Sequence, residues 1–548
     1  MAVSSTSLKP APPVDQNAGI DAFARLTPFG WWGGLSVILV LLTASFLLAG
    51  YFLVYWRNAD MDFMITYSAL SLNDGRYVFF PHPAYLTILS VSRWFQFLHF
   101  IGLLDTSSLS AMPSASNGPA FDAAMTSLIR AARIVAWLTA TAFVLVFAGL
   151  ARLLVKDWRL ALLGTFAFAF SGGIAVHMRA LRSEMLSGCV FTFALMILII
   201  VARRGTNWRP AVVGLAAILC MLAIENKIHA VLLVAALPFL ILPFGSASGL
   251  SAPFWGHSPR AWFAVLGAAC LAAVLVYAAW PLIAIGFNPA NTEVSTLRPL
   301  LLGRFGVYQI GLLIWTGLCM LAFARLWRVE PSETLAAIFA VIAGASLALL
   351  ALYIDFDASN VFIVLNPLEE MLVFADPQAI SAAGGGGPFA AISLLISGVI
   401  SVLRRYTFIL FSSPRPTVFL TWLILPGIIY AWRRGERHAA LQAGLLMLSA
   451  IGIDALGIRR GLKAEYFILT DPLIILAGMV LLERMADLRF RKWAYPVGVV
   501  LIVLHIGISQ AEPAKLVLKR TGPEAICEWN QHYLPRLPLP WCDLPPKR

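Results

Sequence analysis

The sequence predicts an all-α polytopic membrane protein, and three observations carry that prediction. Hydrophobic residues make up 60% of the 548-residue chain, against roughly 45–50% in a soluble domain. Charged residues make up only 12%, about half the usual share. The apolar runs are continuous and close to ~20 residues, the length a helix needs to cross ~30 Å of hydrocarbon. Mean hydropathy is +0.81. A soluble globular enzyme, a disordered chain and a fibre are excluded, because each needs a polar coat or a repeat that this chain lacks. A β-barrel would show alternating segments of about ten residues. Helices are the default because every backbone polar group must be satisfied inside lipid.

In chain order, residues 1–30 are rich in Pro, Ser and Ala and read as a flexible cytoplasmic lead. The first apolar run begins near Trp31 without a small-residue cleavage site, so it is expected to stay as a helix. About thirteen spans are expected: 31–55, 130–154, 159–176, 185–202, 210–224, 228–244, 261–286, 305–327, 333–353, 415–432, 438–457, 467–483 and 493–510. The fifth and sixth are short and meet at the polar corner Glu225-Asn226-Lys227. The chain divides into an N-terminal transmembrane catalytic module (31–353), an outer loop (354–413), C-terminal transmembrane helices (414–511) and an outer tail (512–548). Four glycines in AISAAGGGG suggest a lid or hinge in the 354–413 loop. The first long loop, 56–129, holds an amphipathic stretch Asp62–Leu72 and an apolar stretch Ala84–Leu104. Ser92, Arg93, Gln96 and His99 break the second, so both read as outer interfacial helices.

Net charge is +12, from 40 Lys and Arg against 28 Asp and Glu. No basic stripe with interleaved aromatics accompanies it, so the partner is membrane lipid rather than nucleic acid. One set of short loops holds Arg152, Lys156 and Arg159; Arg203, Arg204 and Arg209; Arg325 and Arg328; Arg433, Arg434 and Arg437; and Arg484, Arg489, Arg491 and Lys492. That side is cytoplasmic by the positive-inside rule. An odd number of spans then puts the N-terminus inside and the tail outside. Of six cysteines, Cys189, Cys220, Cys270 and Cys319 lie in apolar runs and read as small hydrophobes. Cys527 and Cys542 flank CEWNQHYLPRLPLPWC in the outer tail, where an oxidising compartment would let them pair.

Candidate chemistry lies on the outer side. Asp60 and Asp62 follow the first span; in a helix they stand about 200° apart, and in an extended segment they share a face. They suit metal binding, base catalysis or plain solvation. His82 sits in FFPHPAY, where the chain turns back. His177, Arg179, Arg182 and Glu184 crowd one short cap, HMRALRSE, suited to gripping an anion and aiming a carboxylate. Lys227 stands at a helix break and suits a phosphate as a point charge. Arg459, Arg460 and Lys463, with Tyr466, place surplus cations on the outer side, against the positive-inside tendency, and call for a local anion such as lipid phosphate. No nucleotide-binding glycine motif, H-E-x-x-H or C-x-x-C is present. A reaction would therefore draw on a membrane-borne activated substrate or a gradient.

The order of one span, an outer loop with an acidic pair, A-L-S-L-N-D-G-R-Y and an H-P turn resembles the integral-membrane GT-C glycosyltransferases, in particular the protein O-mannosyltransferase and lipid A aminoarabinose transferase type. Tyr67, Ala69, Leu72 and Gly75 resemble the pattern after the family's base; Arg179, Arg182 and Glu184, its second outer loop; Lys227, its lysine after the fifth span; Lys463, Tyr466 and Pro472, its late motif. Asp-Met-Asp replaces the family's Asp-Glu, and spacing to Tyr67 leans towards Asp62 as base. The resemblance implies a GT-C-like fold and transfer of a sugar from a polyprenyl-phosphate donor to a lipid, glycan or protein acceptor. It implies an outer-face site, facing the periplasm of a bacterial inner membrane. No cofactor is required, and Asp60-Met61-Asp62 keeps a divalent cation open. The alternatives are a transporter or flippase of lipid-linked sugars, or an O-antigen polymerase or ligase. Acids gathered at one face argue against the first, because a transporter places ionisable groups mid-span. The early position of the motif-rich loop argues against the second.

Overall fold

The computed structural model describes residues 29–76, 84–203, 210–245, 259–287, 305–355, 398–403, 418–457, 464–485, 491–509, 522–527 and 536–542, with single positions 364, 396 and 534. Among these residues there is helix, turn and irregular chain, and no strand. In order they form α1 (Phe29–Phe46), α2 (Ala59–Asn73), α3 (Tyr85–Phe100), α4 (Gly118–Leu154), α5 (Trp158–Ala169), α6 (Gly172–His177), α7 (Ser183–Arg203) and α8 (Pro210–Asn226). Then follow α9 (Ala230–Leu240), α10 (Pro259–Phe287), α11 (Phe305–Trp327), α12 (Pro331–Asp355), α13 (Val418–Arg433), α14 (Arg437–Gly457), α15 (Asp471–Arg484) and α16 (Arg491–Ser509).

Most helices lie where the apolar runs place them, with informative differences; the expected span 467–483 is a 3₁₀ turn to Leu469 followed by the 14-residue α15, about 21 Å long. The run expected at 130–154 belongs to a helix that starts at Gly118. Asn117 caps it by accepting from the Ala120 N–H, and Pro119 fits the first turn. At 37 residues it is about 55 Å long, well beyond a ~30 Å hydrocarbon core. Hydropathy registers only the part that partitions into lipid, so the first three turns escape it. In the opposite sense, α5 has 12 residues, about 18 Å, and cannot span alone. Six of the described helices are long and apolar enough to cross a membrane, and six further apolar helices are shorter. The expected stretches in the first long loop form α2 and α3, which pack on each other.

Packing separates centre from perimeter. In α7, 83% of the apolar stretch is buried; in α10 only 17% is, with Phe263, Val274 and Tyr277 facing outward. A helix apolar all round and enclosed is a bundle centre, and one apolar outward faces lipid. The helix ends form two poles. At one pole Arg203 bonds Glu483 at 2.9 Å and the Leu154 carbonyl at 3.2 Å, and Gln442 reaches the Pro243 carbonyl at 2.8 Å. These bonds tie together the ends of α4, α7, α14 and α15. Asp62, Glu184, Lys227 and Tyr466 lie at the other pole.

Candidate active site

Asp62 is 1% exposed on α2, whose stretch from Asp62 to Leu70 is continuously buried. Its Oδ2 accepts from Arg133 Nε at 3.0 Å, and its Oδ1 accepts from the Leu181 backbone N–H at 2.6 Å. Arg133 Nη2 is also 2.9 Å from Oδ2 but off the hydrogen-bond axis, so the directional bond is the Nε one. Arg133 is fully buried in α4, and its Nη1 donates to the Gly50 and Leu53 carbonyls at 3.1 and 2.5 Å. The Gly50 carbonyl lies in the π-turn that ends the first span, Leu47–Tyr51, and also accepts from the Leu53 N–H at 3.1 Å; the Leu53 carbonyl lies just beyond that turn. One ion pair thus joins the first span, α2, α4 and the cap before α7. Burial pushes the Asp62 carboxyl above its usual range and outweighs the opposing pull of Arg133 and the Leu181 N–H.

Ser171 caps the N-terminus of α6 by accepting from the Ile174 N–H, and the link between α6 and α7 follows His177. His177 ends α6 and is buried. Arg179 is nearly buried, and its Nη2 donates to Ser45 Oγ on the first span at 2.6 Å. Burial pushes its guanidinium down to about 10. Glu184 lies in the first turn of α7, where the helix dipole favours a carboxylate. Its Oε1 is 2.8 Å from Lys227 Nζ and 3.9 Å from Arg182 Nη1; its Oε2 is buried without a hydrogen bond. Lys227, 2% exposed, stands in the turn that separates α8 from α9, and the Ala230 N–H bonds its carbonyl at 2.9 Å.

Tyr466 closes the cluster. Its ring lies 5.8 Å from Lys227 Nζ and 5.4 Å from the His229 ring. It stands on a 3₁₀ segment, Ala464–Leu469, pressed against α6 and α7. Gly173 and Gly188 make that approach feasible. A Cβ at Gly173 would lie 2.5 Å from Ile468 Cα, and one at Gly188 would lie 2.7 Å from the Ile468 carbonyl oxygen.

The fold therefore gathers Asp62, His177, Arg179, Arg182, Glu184, Lys227 and Tyr466 at one pole, and the Leu181 N–H links Asp62 to the cap. The backbone of Asp60 lies in α2, but its side chain is outside the described residues, as are His82, Arg459, Arg460, Lys463 and the four glycines of the 354–413 loop. Cys527 and Cys542 are joined by a disulfide. Among the described residues, no three His, Cys, Asp or Glu side chains converge as metal ligands.

Three features were missed in the sequence. Arg133 carried a signal, an ionisable residue inside an apolar run, which calls for a buried partner. Asn226 was noted only as part of a polar corner, yet its Oδ1 accepts from the Thr87 N–H at 3.3 Å and docks α3 on α8. Tyr85 Oη donates to Asp355 Oδ2 at 3.0 Å and joins α3 to the end of α12; nothing in the sequence marked it.

No family model matches the chain, and no curated protein matches it. Among solved structures it is similar to the oligosaccharyltransferase of Archaeoglobus fulgidus tethered to an acceptor peptide containing the NVT sequon. That match has 11% identity and a TM-score of 0.46, and covers 96% of this chain and 61% of that one. The apo form of the same enzyme matches with 13% identity and a TM-score of 0.44 over 94% and 61%. The chain thus spans about three fifths of the length of the solved structures it matches.

Proposed function

We propose that this chain is a GT-C-type membrane glycosyltransferase that moves a sugar from a polyprenyl-phosphate donor to a lipid, glycan or protein acceptor. The observation that carries the reading is the buried cluster Glu184–Lys227–Arg182–Tyr466, which shares one pole of an apolar bundle with the Asp62–Arg133 pair. The catalytic module is 31–353, and the site faces the periplasmic side of a bacterial inner membrane. The outer acids and inner arginines support that orientation.

The chemistry divides by charge. Lys227 has three donors and gives one to Glu184, so the others can meet a phosphate oxygen. Arg182, with Arg459, Arg460 and Lys463 from the late outer segment, adds positive charge for the same anion. His82 and His177 belong to the substrate-binding set. The acceptor oxygen attacks the anomeric carbon, the bond to the phosphate oxygen breaks, and the phosphate leaves as an anion held by these cations. The acceptor proton passes to a carboxylate of the Asp60/Asp62 pair. A raised carboxyl such as that of Asp62 is the stronger base. No cofactor is invoked; Asp60 and Asp62 stand two positions apart on helix α2, about 200° around it, and both Asp62 oxygens are taken by Arg133 and the Leu181 N–H, so the pair does not fit a shared divalent cation.

The test incubates membranes containing the protein with radiolabelled polyprenyl-phosphate sugars, with and without the Asp60→Ala/Asp62→Ala double change. Transfer by the wild type and its loss in the double variant is the expected result. Equal label transfer by both would end this assignment.

A further inference from the structure

The C-terminal segment seats itself on the helix that carries Asp60 and Asp62. Leu537 and Leu539 are buried, and Pro540 lies beside Gly118 at the start of α4. The Trp541 ring is 5.9 Å from Phe121 on α4 and 6.1 Å from Tyr55, just before α2. Tyr55 in turn lies 5.5 Å from Phe63, the neighbour of Asp62, with the rings tilted at 49°, and donates to Asp122 at 2.7 Å. Tyr67 on α2 interacts with the backbone of Arg536. The adjacent Cys542 is bonded to Cys527, whose own 3₁₀ turn, Pro523–Ile526, packs against residues Tyr55–Asn58.

From this geometry we propose that Trp541, pinned by the Cys527–Cys542 bridge, is a positioning residue that holds α2 against α4. The role rests on the transferase reading only for its consequence, since α2 carries the two candidate bases. The ring is a wedge between Tyr55 and Phe121, and the bridge keeps it there. A bridge closing 15 residues favours the seated segment by about a hundredfold over the open one. A dithiol reagent opens the latch by thiol–disulfide exchange. It gives up two electrons and two protons, leaves two cysteine thiols, and becomes its own cyclic disulfide.

The test is hydrogen–deuterium exchange of the purified, detergent-solubilised full chain, before and after dithiothreitol, with Trp541→Ala and Trp541→Phe alongside. Reduction and Trp541→Ala are expected to speed exchange across α2 by roughly tenfold or more, through local opening. Trp541→Phe keeps a ring in the wedge and is expected to stay within about twofold of the wild type. Helix α15 serves as the internal reference and is expected not to change. Unchanged exchange in α2, once reduction is verified by mass, overturns the latch whatever the protein transfers. Equal exchange in the Ala and Phe variants overturns the role of the ring. In the transfer assay, reduction should lower turnover without changing donor KM, and reoxidation should restore it. Failure of wild-type transfer would count against the transferase and leave the exchange result standing.

Discussion

Removing Arg133 while keeping Asp62 should be among the most damaging single changes in this chain. Arg133→Met leaves a carboxylate at 1% exposure without its cation. Breaking a buried pair from one side costs about 3–5 kcal/mol. The Leu53 carbonyl loses its Arg133 donor as well, which adds about 1–3 kcal/mol if water does not replace it, while the Gly50 carbonyl keeps the Leu53 N–H. Asp62→Leu strands the guanidinium in the same way. The double variant strands no charge and loses mainly the carbonyl bonds and the Leu181 N–H bond. The two single effects together should therefore exceed the double by about 3 kcal/mol or more, at or above the top of the range for groups in one network. Reversible SDS unfolding in mixed micelles, read by helical circular dichroism, measures all four corners of the cycle. A coupling under about 0.5 kcal/mol would refute the reasoning, because it would show that the pair does not act as a unit.

The two buried glutamates near the fifth-to-sixth helix break should behave oppositely. Glu184→Gln strands Lys227 and should cost about 3–5 kcal/mol, whereas Glu225, whose oxygens are buried without a hydrogen bond, should tolerate Gln within about 1 kcal/mol. Equal losses in the same unfolding assay would contradict this. Gly173→Ala should force the 3₁₀ segment off α6 at a cost of about 1–3 kcal/mol, seen as a lower unfolding temperature; an unchanged midpoint would show that the contact yields freely. Asp74 is pushed up by partial burial, but the Ser110 hydroxyl and N–H outweigh that and hold it below 3.8. A depressed carboxylate stabilises above its unfolded value and loses that contribution as pH falls through the folded one. Protection of the Ser108–Met112 turn should thus hold from neutrality to about pH 4 and fall below it, and Asp74→Asn should flatten the profile.

The helices were legible in sequence because lipid allows few alternatives. A chain without water around it must bond its own backbone, so apolar runs near ~20 residues become helices almost by necessity. The same logic reads α2 as amphipathic and interfacial, whereas the structure encloses it from Asp62 to Ser71, polar and apolar positions alike, because α3 and α4 pack over it. The logic also failed at the start of α4, where polar and small residues continue a helix that hydropathy cannot detect. The cap residues His177, Arg179, Arg182 and Glu184 were legible as a group because four polar functions on so short a link exceed what a turn needs.

What composition and periodicity determine is the list of helices and the pole where polar residues collect. Pairing is a different matter. Asp62 and Arg133 are 71 residues apart, and neither announces the other. Glu225 and Lys227 are two residues apart, yet Lys227 finds Glu184 and Glu225 finds no hydrogen bond. The approach of Ile468 to Gly173, which sets Tyr466 over Lys227, joins segments nearly three hundred residues apart. Partition into lipid is a sum over local residues and can be read from a window of the chain. A hydrogen bond or ion pair acts over about 3 Å, so its partners exist only once the helices have packed.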